Sequence, residues 1–143
     1  MVYEHKVQYY ETDKMQVVHH SNYVRWMEEA RVEFLDMIEA SFASLEDMGI
    51  ISPVTEVQCR YKSMMRFGDT ARIYACLEEF GGVKMHVVYK IVSVNTGEVC
   101  CEAESRHCFI ENGRIINMKK KHSEIYERFL PHIGEDLELA TCG

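Results

Sequence analysis

Residues 22–38, NYVRWMEEARVEFLDMI, place apolar side chains at Tyr23, Trp26, Met27, Ala30, Phe34, Met37 and Ile38. Steps of three and four bring these positions onto one face of a 3.6-residue helix, so the stretch predicts a long amphipathic helix. Arg25, Glu29, Glu33 and Asp36 fall off that stripe, and the four-residue step from Arg25 to Glu29 predicts an ion pair on the exposed side. Ser21 or Asn22 is suited to cap the helix start.

The flanks change period. HKVQYY (5–10) alternates loosely and reads as a short strand, followed by a polar loop from Glu11 to Gln16 that carries no turn glycine. Beyond the helix, Ser44 to Met48 reads as a short helical turn ended by Gly49. Val57, Cys59 and Tyr61 then alternate with Gln58, Arg60 and Lys62. After the turn Phe67-Gly68-Asp69, the apolar positions are Ala71, Ile73, Ala75 and Leu77. Such alternation is that of half-buried strands. Gly81-Gly82 leads into VKMHVVYKIVSV (83–94), and Asn95-Thr96-Gly97 into EVCCEAESRHCFI (98–110). Glu111-Asn112-Gly113 ends the run, RIINM (114–118) is extended, and HSEIYERFL (122–130) reads as a short terminal helix. One strand, a long helix and four strands joined mainly by tight turns predict an α+β domain, with an antiparallel sheet packed on one helix.

Composition narrows the function. The 143 residues fit a single domain, 1–143, with no repeat or linker. A hydrophobic fraction of 47% beside 27% charged residues is that of a globular chain. No apolar run approaches the ~18 residues of a membrane span, and MVYEHKVQYYETDK lacks the order of a signal peptide, so a cytoplasmic location is expected. The formal charge of −7 argues against a nucleic-acid partner and requires a local basic patch for any anionic ligand. Six cysteines, with Cys100 and Cys101 adjacent and no C-x-x-C pair, read as reduced thiols without a histidine-paired nucleophile. His19 and His20 are neighbours, a poor arrangement for one metal ion, and no metal or cofactor is expected.

The chemistry concentrates in Tyr9, Asp13 and Val17-Val18-His19-His20-Ser21-Asn22-Tyr23. The segment TDKMQVVHHSNY (12–23) resembles the D-x-x-G-x-V-x-(Y/H)-x-x-Y signature of the 4-hydroxybenzoyl-CoA thioesterase family, and of its acyl-CoA thioesterase branch associated with the Tol-Pal system. KSMMRFGD (62–69) is similar to the family segment before its third strand. The resemblance implies a hotdog fold, a five-stranded antiparallel sheet wrapped around a long central helix, and hydrolysis of acyl-CoA thioesters to free acid and CoA. It implies a catalytic role for Asp13, a carbonyl-polarising backbone amide at His20, and Tyr9 and His20 lining the site. It also implies homodimers that extend the sheet and pair again into homotetramers. Where relatives usually carry small residues and glycine, this chain has Lys14-Met15-Gln16. Met or Gln at a positive φ is strained where glycine is not.

The residues themselves agree with that reading. Thioester hydrolysis needs attack on a carbonyl carbon and fixed donors for the charge developing on its oxygen. Free amides at the helix start, from His19 to Tyr23, supply donors assisted by the macrodipole. Asp13 either attacks to form a mixed anhydride or activates water. His20 and Tyr9 are suited to positioning the carboxylate, water or thioester, and Asn22 either joins them or caps the helix. For the substrate, the candidates are His19, Asn22 and Tyr23, with Lys62, Arg66, Lys84 and the run Lys119-Lys120-Lys121 for CoA phosphates. Glu28 and Glu29 are rival carboxylates on the helix. Two other functions fit the same fold: a non-catalytic module that binds acyl-CoA or an acyl carrier, and a dehydratase of 3-hydroxyacyl thioesters.

Overall fold

A computed structural model of the protein describes residues 1–134. Strand β1 (Val2–Lys6) leads through a 3-10 turn at Tyr9–Glu11 to the long helix α1 (Ser21–Met37) and the short helix α2 (Phe42–Asp47). The strands β2 (Ile50–Ile51), β3 (Val54–Tyr61), β4 (Thr70–Phe80), β5 (Met85–Ser93), β6 (Val99–His107), β7 (Ile110–Glu111) and β8 (Arg114–Ile115) follow. Helices α3 (Met118–Lys121) and α4 (Ser123–Phe129) and a 3-10 turn at Leu130–His132 end the described chain. The main sheet has five strands in the order β1-β4-β5-β6-β3, all antiparallel. β2, β7 and β8 form a small second sheet. The α+β arrangement of five strands and one long helix is as the sequence predicts.

The helical stripe buries Tyr23, Trp26, Met27 and Ala30, but it continues through Arg31 and Leu35. Met37 points outward, 53% exposed. These side chains share one core with Ile73, Tyr89, Ile91 and Cys101 of the sheet and with Phe109 and Phe129 beyond it. Each fully buried large apolar side chain contributes about 2–3 kcal/mol. Glu29 turns toward His5, 3.2 Å from Nδ1, and not toward Arg25. The expected strand over 5–10 ends at Lys6, because Gln8 donates its backbone N–H to the Glu11 carboxylate and closes a 3-10 turn there. Tyr9 therefore sits on a turn. Cys142 lies outside the described residues.

The two sheet edges differ. β1 is short and alternates in burial, whereas β3 is exposed along most of its length, with Val54 at 48%, Val57 at 43% and Tyr61 at 47%. An edge of that length with apolar side chains is an open pairing surface.

A polar chain crosses the core. Arg31 Nη1 donates to the Tyr89 hydroxyl at 3.0 Å, the Tyr89 and Ser105 hydroxyls lie 2.6 Å apart, and Ser105 Oγ is 2.7 Å from His107 Nε2. Burial, reinforced by the Arg31 charge, lowers the His107 pKa from 6.5 to about 4. Between those values the unfolded chain holds the imidazole proton and the folded chain does not, so acidification favours unfolding. Over the pH 6.5 to 4 window we expect a loss of up to about 3 kcal/mol from this group. Chemical denaturation of the wild type and His107→Gln across that range checks it. The variant is expected to be less stable at neutral pH and to show the shallower slope below pH 6.5.

Candidate active site

Glu11 organises the loop before α1. Its carboxylate is 5% exposed and takes three donors at 2.8 Å: His5 Nε2 and the Gln8 N–H on Oε1, and Trp26 Nε1 on Oε2. Burial alone pushes its pKa up, but those hydrogen bonds and the His5 charge outweigh it and hold the group below the usual carboxylate range. Its backbone carbonyl accepts from Asn22 Nδ2 and from the His19 N–H, both at 2.8 Å. Donors from β1, the 3-10 turn and α1 thus converge on one residue and fix the loop against the helix start.

Beyond Glu11 the chain folds back in a tight turn. Thr12 and Val18 form an antiparallel bridge, Asp13 N–H donates to the Val17 carbonyl at 2.9 Å, and Gln16 N–H returns to the Asp13 carbonyl at 2.9 Å. The half-buried Asp13 accepts the Met15 N–H on Oδ1 at 2.8 Å. Val18 N–H donates to the Met65 carbonyl at 2.8 Å, tying the turn to the segment between β3 and β4. Gln16 closes the turn at φ 65°, so the strain expected within Lys14-Met15-Gln16 falls on the residue in the glycine position of the signature. A left-handed conformation costs a side-chain-bearing residue about 1 kcal/mol or more, partly offset by the lower unfolded-state entropy of a non-glycine. Gln16→Gly is expected to be stabilising by up to about 1 kcal/mol. Denaturant midpoints measure this, and a destabilised variant would contradict the expectation.

The helix start is built from histidines. The cap position of α1 is His20, whose side chain makes no capping hydrogen bond, so neither Ser21 nor Asn22 caps the helix; His19 Nδ1 accepts the Ser21 N–H at 3.2 Å and lies 2.8 Å from the Ser21 hydroxyl. The Asn22 and Tyr23 N–H groups return to the carbonyls of His19 and His20. The His20 N–H meets no acceptor among the described residues, and its ring stacks on that of His19 at 4.3 Å. The Tyr61 hydroxyl donates to the His20 carbonyl at 3.3 Å. One unsatisfied amide therefore stands at the positive end of a 17-residue helix.

The other candidates separate into four places. Tyr9, 71% exposed and 5.7 Å from the Phe67 ring, borders an open depression with Tyr10, Thr12, Asp13 and Lys14. Asn22 and Tyr23 are buried, Asn22 as the tether to Glu11 and Tyr23 packed between Trp26 and Tyr61, which leaves neither side chain a surface for substrate. Lys62 and Arg66 flank the Asp13 end of the sheet, and Lys62 bridges Glu102 at 3.2 Å. Lys84 lies at the opposite end, beyond the 11-residue strand β4, about 30 Å away at a strand rise of 3.3 Å. Lys119 to Lys121 share that far end, where Met118 N–H donates to the Gly82 carbonyl. Neither group reaches Asp13. The Cys59 thiol, two residues from Tyr61, has its pKa lowered by its hydrogen bond to Cys101 and by Tyr61, while that of Cys101 is pushed up by the same contact. Glu29 stands against His5 and not at the helix start.

Residues 7–131 match the family model of the thioesterase-like superfamily. The chain belongs to that superfamily. A protein of Aquifex aeolicus provisionally named an esterase is 32% identical to this thioesterase-like chain over 124 residues, 87% of the chain and 95% of that protein. YneP of Bacillus subtilis, provisionally named an acyl-CoA thioesterase, is 32% identical over 108 residues, 76% of the chain and 78% of its own length. The crystal structure of DHNA-CoA thioesterase from Staphylococcus aureus superposes with a TM-score of 0.85 at 26% identity, covering 91% of this chain and 88% of that one. The fold is thus the hotdog fold of these thioesterases. No helix among the described residues is long and apolar enough to cross a membrane.

Proposed function

We propose that the protein hydrolyses acyl-CoA thioesters at Asp13, in a site completed by a second copy of the chain. The observation that carries this reading is the pairing of a carboxylate on a clamped turn with the unsatisfied His20 amide at the start of α1. The carbonyl oxygen of the thioester sits at that amide, where the developing negative charge gains the N–H and the helix end. Asp13 then either attacks the carbonyl carbon, giving a mixed anhydride that water cleaves, or removes a proton from the water that attacks directly. In both routes the C–S bond breaks, CoA leaves as thiolate and is protonated, and the acid is released.

Exposed Tyr9, Tyr10 and Met15 around Asp13, and the open β3 edge, support a homodimer whose partner supplies the facing wall. Lys62 and Arg66 at the Asp13 end of the sheet, with Lys14 on the rim of the same depression, are the basic groups offered to CoA phosphates, and Lys62 exchanges Glu102 for phosphate on binding. A panel of acyl-CoA and acyl-carrier thioesters, read with a thiol reagent, tests the activity. Thiol release with turnover is expected. Saturable binding without thiol release makes the protein a binding module, and a gain of enoyl absorbance without thiol release makes it a dehydratase. Light scattering is expected to give at least twice the 16.7 kDa chain mass.

A further inference from the structure

Two cysteines meet across the edge strand and its neighbour. Cys59 of β3 stands opposite Ala103 of β6, and Tyr61 stands opposite Cys101, so Cys59 and Cys101 are diagonal neighbours on one face of the sheet. Their thiols are hydrogen-bonded to each other. Cys101 lies in the core with Tyr23 and Trp26 of α1, and Cys59 packs against that core from the edge. Their exposure differs. Cys76, Cys100, Cys101 and Cys108 are buried, whereas Cys59 is half-buried and the most exposed thiol among the described residues. The contacts with Cys101 and Tyr61 favour its thiolate, which is the nucleophilic form. The Tyr61 side chain is hydrogen-bonded to Cys59, and its hydroxyl donates to the His20 carbonyl at 3.3 Å. The thiol pair is thus one side chain away from the helix start that carries the unsatisfied amide.

We propose that Cys59 is a site of reversible oxidation by peroxides, with Cys101 as its resolving thiol, and that the disulfide they form slows the chemistry at the helix start. The oxidation stands by itself, and the effect on chemistry rests on the thioesterase reading. The Cys59 sulfur attacks one oxygen of hydrogen peroxide, the O–O bond breaks, and the departing hydroxide takes the thiol proton as water, leaving Cys59 as the sulfenic acid. The Cys101 sulfur then attacks that sulfur. The S–S bond forms as the S–O bond breaks, and the second hydroxide takes the Cys101 proton. Two thiols and one peroxide become one disulfide and two waters. Diagonal neighbours have Cα atoms about 7 Å or more apart, against about 5.5–6 Å in an unstrained disulfide. The bond therefore draws β3, the last strand of the sheet, toward β6 and carries Tyr61 away from His20. A strained disulfide close to solvent is easily reduced, so the step reverses with thiols.

Two measurements on the full chain test it. In the first, which needs no substrate, the protein is treated with hydrogen peroxide, its thiols are counted in denaturant, and its digest is searched by mass spectrometry for linked peptides. The six thiols are expected to fall to four, with Cys59 joined to Cys101 and the count restored by dithiothreitol. Cys59→Ser is expected to lose none of the thiols it has. A Cys59 that stays reduced, that proceeds to the sulfinic acid, or that links to another cysteine or to a second chain overturns the proposal. In the second, turnover is followed on an acyl-CoA thioester that the reduced protein hydrolyses. Oxidation is expected to lower kcat/KM about tenfold or more by displacing the helix start, and dithiothreitol to restore it. Cys59→Ser is expected to hold its rate in peroxide. A linked protein as fast as the reduced one, or an equal loss of rate in Cys59→Ser, overturns the coupling to the site. If no thioester is hydrolysed, the thiol count and the Cys59–Cys101 link still decide the oxidation, so the two readings fail separately.

Discussion

Replacing Glu11 by Gln is expected to destabilise the protein by about 3 kcal/mol and to lower activity along with it. The substitution keeps size and shape, so the effect isolates charge and hydrogen-bond direction. His5 and the Gln8 N–H are satisfied by the amide oxygen, but Trp26 Nε1 then faces an NH₂ group, and two donors meet in a buried site. The two charge-assisted bonds that survive become neutral ones of roughly half the strength. A loss of that size lowers the melting temperature by about 10 °C in a chain this long. Because Glu11 also anchors His19 and Asn22 through its carbonyl, the turn bearing Asp13 shifts against the helix start. A displacement of about 1 Å at a reacting group reduces rate by orders of magnitude, so kcat/KM is expected to fall tenfold or more below the melting temperature. The native Glu11 carboxyl is held below its ordinary range, so its contribution is present above that range and is lost as pH falls through the folded value. The stability gap between the two proteins is therefore expected to narrow on acidification. A constant gap, or a variant as stable as the wild type, removes Glu11 as the organiser of the site.

Much of the fold is legible in the periodicity of the chain. The three-and-four spacing from Tyr23 to Ile38 and the alternation about Ile73 follow from burying one helix face and one sheet face, whereas the alternating Val57, Cys59 and Tyr61 fall on an edge strand that stays largely exposed. The turn glycines mark the hairpins. Legibility stops where partners are distant in sequence. Glu11 looks like an acid in a solvated loop, because His5 and Trp26, which bury and satisfy it, lie in two other elements. Arg31 breaks the apolar stripe and reads as surface until Tyr89, 58 residues away, is brought beneath it. Lys84 looks available for phosphate until the length and direction of β4 carry it to the far end of the sheet. Tyr23 and Asn22 occupy the right segment, but helix phase turns them inward. The strain within Lys14-Met15-Gln16 was readable as a missing glycine, and its placement at Gln16 agrees with the spacing of the signature.

Asp13 carries the proposed chemistry, and its role is open to a clean substitution. Asparagine retains an oxygen for the Met15 N–H, so the turn closes as before, while the charge and basicity needed for attack or water activation disappear. Removing a principal catalytic group costs about 3 kcal/mol or more of transition-state stabilisation, equivalent to about a hundredfold in rate. Substrate affinity depends on other contacts and changes little. The measurement is kcat/KM for thiol release by Asp13→Asn and wild type on the best thioester of the panel, beside their melting temperatures. The account predicts a ratio of about one hundred or more with melting unchanged, and equal turnover by a folded variant would contradict it.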